Sequence, residues 1–215
     1  MTTRRLTPLD RLLSELNHAL RTAGAPGSSV AGRPNPAAKQ AEGELTEAER
    51  EEAGRLMRVN HAGEIAAQAL YQGQAFMARD PEVRSAMAHS SEEEIDHLAW
   101  CEQRLKELDA PVSRLDPLWY LGSFAIGALA GLAGDKLSLG FITETEHQVV
   151  EHLEGHLKRL PEKDARSRAI LEQMKTDEAH HGEIAKRAGG MPMPAPVRLF
   201  MQLTSKVMTE TAYWI

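Results

Sequence analysis

Glu93-Glu94-Ile95-Asp96-His97 and Asp177-Glu178-Ala179-His180-His181 each contain a Glu-x-x-His step. On an α-helix, residues three apart share a face, so each step aims a carboxylate and an imidazole at one point. Two such steps on facing helices could hold a pair of metal ions. The pattern alone is weak. It occurs four times in a chain with nine histidines, as Glu15/His18, Glu94/His97, Glu144/His147 and Glu178/His181. Helical faces separate the four.

Glu94 and His97 interrupt the line Val83, Met87, Ser90, Cys101, Leu105, Leu108, whose steps of three and four residues mark an inward face. Glu178 and His181 likewise interrupt a line of Ile170 or Leu171, Met174 and Ala185. The other two pairs fail this test. Glu15 and His18 share a face with Arg11 and Thr22, away from the nearby leucines, and Glu144 and His147 lie with Gln148, Glu151 and Glu154 on a solvated face. The same segment instead puts Glu146 in its apolar line of Ile142, Val149, Leu153, Leu157 and Leu160. Upstream, Glu64 lies near Leu56, Asn60, Ala67 and Tyr71, with Gly63 and Ala66 leaving room beside it.

The candidate metal ligands are therefore Glu64, Glu94, His97, Glu146, Glu178 and His181. They form an internal repeat: a lone glutamate precedes Glu-x-x-His by 30 residues in the first half and by 32 in the second. Burying a charge costs several kcal/mol unless it is paired or metal-bound. With arginines and lysines expected only at the helix surfaces, a pair of dications satisfies all six groups. Glu plus Glu-x-x-His from each of two helix pairs is the ligand set of carboxylate-bridged di-iron bundles. Oxygen and imidazole donors suit iron or manganese, and the absence of thiolate argues against structural zinc. The alternative is a metal-free polar core held by salt bridges. A ligating imidazole usually passes its second N–H to a carboxylate, and Asp177 and Glu93, each preceding a candidate ligand, are placed for that. His152, close to Glu146, reads as a plain core or surface histidine or as a proton relay. His61, His89, His156 and His180 read as surface histidines.

Apolar spacing predicts helices over about 46–78, 81–108, 137–160, 162–187 and 197–213, with a shorter one over 6–22. Thr46-Glu47-Ala48-Glu49 is a capping box, and Gly189-Gly190 closes the 162–187 segment. Residues 24–36 collect Gly, Pro, Ser and Asn without periodicity and read as a linker. No stretch alternates with period two, so the fold class is all-α: a four-helix bundle at 46–215 with additional short helices, preceded by an N-terminal helix and linker at 1–45. Leu118 to Gly134 is 17 residues without a charge. A membrane span needs roughly 20 apolar residues, and four glycines weaken this stretch further. It reads either as a buried or crossover helix or as an interfacial segment touching a bilayer or a greasy ligand.

Lys and Arg total 25 against 31 Asp and Glu, a net charge of -6 that argues against a nucleic-acid partner. One cysteine, Cys101, excludes an intrachain disulfide and a Cys-rich metal site. Met1 to Leu6 has arginines without an apolar core behind them, and Asp10 and Glu15 do not suit a transit peptide, so a cytosolic, reducing location is expected.

Taken in order, Arg58-Val59-Asn60-His61-Ala62-Gly63-Glu64, Glu94-Ile95-Asp96-His97-Leu98, Glu146 and Asp177-Glu178-Ala179-His180-His181 resemble the demethoxyubiquinol hydroxylase family of ubiquinone biosynthesis. The resemblance runs from about residue 49 to 215, and residues 6–45 look like the leading segment of bacterial members. It implies a ferritin-like di-iron monooxygenase with two iron ions per chain and O₂ as co-substrate. The reaction would hydroxylate a polyprenylated demethoxyubiquinol to demethylubiquinol, the penultimate step of ubiquinone synthesis. The family's iron ligands fall on the same six residues, and a conserved histidine falls on His152, which favours a relay role there. Asp177/His180 is a rival to Glu178/His181 on a less apolar line through Gln173 and Ile184. The implied partners are the quinol and a membrane surface, met peripherally on the cytoplasmic face of the cell membrane. Other ubiquinone-biosynthesis proteins or a homo-oligomer are further candidates. Iron storage in a ferritin-like shell and a metal-free helical membrane adaptor are the rival functions.

Overall fold

The computed structural model describes residues 29–41 and 43–215, with the backbone alone at 82–89 and 91–93. The first long helix, α1 (Glu47–Met77), starts where the sequence predicts: the Thr46 hydroxyl accepts from the Glu49 N–H while the Glu49 carboxylate accepts from the Thr46 N–H. Five more follow: α2 (Pro81–Glu107), α3 (Asp116–Leu132), α4 (Asp135–Arg159), α5 (Ala165–Arg187) and α6 (Ala195–Trp214). Among the described residues there is no strand. The start of α5 differs from the periodicity, which extends it back to Glu162. Asp164 ends the preceding turn and caps the helix, accepting from the Ser167 N–H at 2.9 Å.

The bundle consists of the two helix pairs that the internal repeat predicts, α1 with α2 and α4 with α5, and α2 also packs on α5. Toward one end lies the main apolar cluster, including Leu56, Met57, Cys101, Leu153, Ile170 and Met174. Toward the other, Tyr71, Leu139, Ile142 and Ala185 form a smaller one. The candidate ligands sit on their helices between these two clusters, as a polar layer inside an apolar bundle.

Most of the uncharged stretch Leu118 to Gly134 lies in the crossover helix α3, packed along α1. Glycines on both sides let the two backbones touch: a Cβ at Gly127 would meet the Leu70 carbonyl oxygen at 2.2 Å, and one at Gly73 that of Phe124 at 2.3 Å. The opposite face, with Leu118, Leu121, Leu129 and Leu132, is exposed. No described helix is long and apolar enough to cross a membrane. Gly134, at φ 109°, makes the turn from α3 into α4.

The 6–22 helix lies outside the described residues. The end of the predicted linker is packed onto the bundle. Ala37, in the short 3₁₀ turn Pro36–Lys39, is buried in the main apolar cluster, with Ala31 against its edge. Asn35 caps that turn and donates to Gln103 on α2 at 2.9 Å.

Candidate metal centre

Glu64 on α1, Glu94 and His97 on α2, Glu146 on α4, and Glu178 and His181 on α5 converge in the polar layer, and none is more than 4% exposed. They fall into two clusters, Glu64/Glu94/His97/Glu178 and Glu94/Glu146/Glu178/His181, each with donor atoms within 4.8 Å of one another. Glu94 and Glu178 belong to both. His97 Nδ1 lies 3.2 Å from Glu94 Oε2 and 3.1 Å from Glu178 Oε1. His181 Nδ1 lies 3.5 Å from Glu94 Oε1 and 3.2 Å from Glu178 Oε2. Each shared carboxylate thus turns one oxygen toward either half, while Glu64 and Glu146 each serve one half. The rival His180 is exposed, and Asp177 points elsewhere, to the outer nitrogen of His97 at 2.9 Å.

The electrostatics describe a cluster that holds protons where cations would sit. Burial, then the Glu94 charge, pushes the Glu64 carboxyl well above its usual range; burial, then Glu178 and Glu94, does the same to Glu146. Glu94 goes the other way: burial opposes it, but hydrogen bonds with His181 and His97 hold it below the usual range. Both imidazoles are raised against the effect of burial, His97 by Asp177, Glu178, Glu64 and Glu94, and His181 to about 12 by Glu178 and Glu94. Glu64 Oε2 and Glu94 Oε1 are buried without a well-formed hydrogen bond, each facing an imidazole Nδ1 at long range, His97 at 3.4 Å and His181 at 3.5 Å. A buried acceptor without a well-formed hydrogen bond costs up to about 1–3 kcal/mol, more when charged. A donor set of four carboxylates and two imidazole Nδ1 atoms, with two buried oxygens held only by long imidazole contacts, fits a pair of hard or borderline dications.

The surroundings include supporting residues beyond the six candidate ligands. Tyr71 donates its phenol O–H to Glu146 Oε1 across the bundle; its position on the Glu64 line is the signal that it faces inward. Arg33 reaches over from the 29–41 segment to Asp96 and Asp177, and no periodic signal marks it. The expectation that cations stay at helix surfaces fails at Arg104, which is fully buried and pairs with Asp164 and Glu107 at 2.9 Å each. The sequence carries that signal, because His97, Cys101, Arg104 and Leu108 follow steps of four, three and four.

Two histidines expected at the surface are buried. His61 lies between Asp116 Oδ2, at 3.3 Å from Nδ1, and Glu102 Oε1, at 3.7 Å from Nε2. His156 donates Nδ1–H to Asn60 Oδ1 at 2.9 Å. A polar ring is tolerated inside once it has such partners, and hydropathy alone does not reveal them. His180 is exposed, as expected, and the side chain of His89, like that of Glu93, lies outside the described residues. His152 is half-buried and packs against His156 with ring centres 3.9 Å apart and the planes tilted by 57°. Burial, then Arg159, lowers it to about 4.

A helical bundle with two carboxylate–histidine clusters that share two glutamates has the layout of a carboxylate-bound metal protein. The chain belongs to the family described as Ubiquinone biosynthesis protein COQ7, which matches residues 51–212. Among its relatives, the 3-demethoxyubiquinol 3-hydroxylase of Nitrosococcus oceani is 58% identical over 99% of both chains. The protein of that name from Cupriavidus pinatubonensis is 56% identical over 96% of this chain and 100% of its own. The one from Pseudomonas putida is 55% identical over 100% of this chain and 99% of its own.

Proposed function

We propose that this chain is an O₂-dependent di-iron hydroxylase converting a polyprenylated demethoxyubiquinol to demethylubiquinol. The observation that carries the metal reading is the sharing of Glu94 and Glu178 between the two clusters, one oxygen to each. Glu64 and His97 would hold one ion, Glu146 and His181 the other, with Glu94 and Glu178 between them. Iron bound there supplies the redox chemistry that activates O₂ for insertion into a ring C–H bond. The chain's own residues supply the rest. Nδ1 of each imidazole is turned inward, Tyr71 orients Glu146, and Asp177 takes the outer nitrogen of His97. The apolar clusters on either side exclude bulk water from the layer.

The substrate assignment comes from the named relatives and from the surface. The exposed leucines of α3 recur at steps of three, eight and three on one face, and α6 exposes Leu199, Phe200, Leu203 and Val207. Val197 and Met201 of α6 and Ile126 and Ala130 of α3 border one apolar cluster around Phe141 and Met193. Apolar area of this extent suits a membrane surface, where an isoprenoid tail resides. We place the protein on the cytoplasmic face of the cell membrane, bound peripherally, with His152 as a candidate relay.

Anaerobic ferrous reconstitution followed by turnover with a demethoxy-quinol analogue tests the reading. The expected result is two iron ions per chain and a product one oxygen atom heavier. Many iron atoms per chain in a large closed shell would point to storage, and no uptake of iron or manganese to a metal-free adaptor.

A further inference from the structure

Asp96 lies within the first Glu-x-x-His step and Asp177 immediately before the second, and one side chain from outside the bundle grips both. Arg33 places Nε 2.5 Å from Asp96 Oδ2 and Nη1 2.9 Å from Asp177 Oδ2. Asp96 is buried, and its other oxygen accepts from the backbone N–H of Gly32 at 2.6 Å and of Arg33 at 3.3 Å. The same guanidinium lies over the Trp100 ring at 5.1 Å, and Trp100 packs against His97 with ring centres 5.5 Å apart. Arg33 precedes the residues that the family model matches, 51–212, and lies in the span shared with the full-length relatives.

His97 turns Nδ1 to the carboxylates and Nε2 to Asp177. An aspartate in that position fixes both the tautomer and the ring angle of a ligating imidazole. Asp177 can do so only if it stays on Nε2, and Arg33 holds it there while also fastening α2 through Asp96. A planar guanidinium reaches both carboxylates at once, which a single ammonium does not.

We propose that residues 29–35 form a strap over the metal centre and that Arg33 is a positioning residue, holding Asp177 against His97 so that Nδ1 faces the bound metal. This rests on reading the six-residue cluster as a metal site. The strap couples the first half of the site, through α2, to the second, through α5, from outside the bundle.

Anaerobic Co(II) titration of the full chain, followed by the d–d absorption of the bound ion, tests the proposal. The wild type takes two ions. Arg33→Gln should bind one of them about ten- to a hundredfold more weakly with an altered d–d spectrum, and Arg33→Lys should fall between the two. Circular dichroism of the metal-free proteins should show the same helix content in all three. Wild-type affinity and spectrum in Arg33→Gln would overturn the strap and leave the metal centre standing. A wild type that binds no Co(II), Fe(II) or Mn(II) would overturn both. If Arg33→Gln does not fold, Arg33→Lys carries the test: wild-type affinity and spectrum overturn the proposal, and an intermediate loss supports it.

Discussion

The two halves of the candidate centre have the same ligands and different support. In the first, His97 is held from behind by ions: Asp177 on Nε2, Arg33 on Asp177, and Trp100 beside the ring. In the second, the terminal carboxylate is held by a neutral group, the Tyr71 phenol on Glu146, and Gly182 lets α4 approach closely, since a Cβ there would meet Glu146 Cβ at 3.3 Å. Glu64, the counterpart of Glu146, turns Oε2 to His97 Nδ1 at 3.4 Å. A sequence repeat therefore produced a symmetric donor set but not a symmetric environment. The two metal positions should differ in affinity, and the support residues should set the difference.

The largest effect is expected where the halves are joined. Glu178→Ala removes a donor from both clusters, so it should abolish binding of both ions and all hydroxylation while helix content persists; Glu64→Ala should cost mainly one. Iron content by mass spectrometry, set beside turnover, distinguishes the two, and an equal loss in both variants would break the distinction between shared and unshared carboxylates.

Tyr71→Phe should act on the second half only. It deletes the donor to a buried carboxyl, an expected loss of about 1–3 kcal/mol in the metal-free protein, measured by urea denaturation. Its metal titration should weaken one step and leave the step affected by Arg33→Gln unchanged.

Acid should separate histidines inside the fold. Burial, then His152, lowers His156 to about 2, far below an unfolded value of about 6.5. The unfolded chain therefore binds the extra proton first, so stability held above about pH 6.5 is lost as pH falls below it. His61 has the opposite sign: burial opposes its protonation, but Asp116 and Glu102 raise it. Its contribution is complete below about pH 6.5 and is lost as pH rises through the folded value. Denaturation from pH 5 to 9 should show His156→Gln flattening the acid limb and His61→Gln the alkaline one.

The smallest effect on stability belongs to the α3 surface. Leu121→Glu and Leu129→Glu change exposed positions, and their folding free energies should shift by no more than about 0.5 kcal/mol. Co-sedimentation with anionic vesicles should fall sharply in the double variant; undiminished binding would remove α3 from the membrane reading.

What was legible in the sequence were the features with a period. Glu64, Glu94, His97, Glu146, Glu178 and His181 each break an apolar line, and a line broken by charge is visible without coordinates. The helices around them followed from caps and prolines, as at Thr46 and Pro81. Arg33 could not be found this way, because a residue in a Gly/Pro-rich segment has no face, and its partners lie 63 residues and more away. His61 and His156 were misplaced for a related reason: their burial depends on Asp116 and Asn60, partners set by the crossing of helices rather than by neighbours in the chain. Arg104 was legible, and the general rule that arginines stay outside obscured it.

The depth of the six donors has a kinetic meaning. With none more than 4% exposed, a chelator cannot touch a bound ion while the bundle and the segment over α2 stay closed. Ion loss then depends on how often the protein opens locally. Removal by excess chelator should proceed at a rate that stops rising with chelator concentration, and that plateau is a property of the fold rather than of the metal.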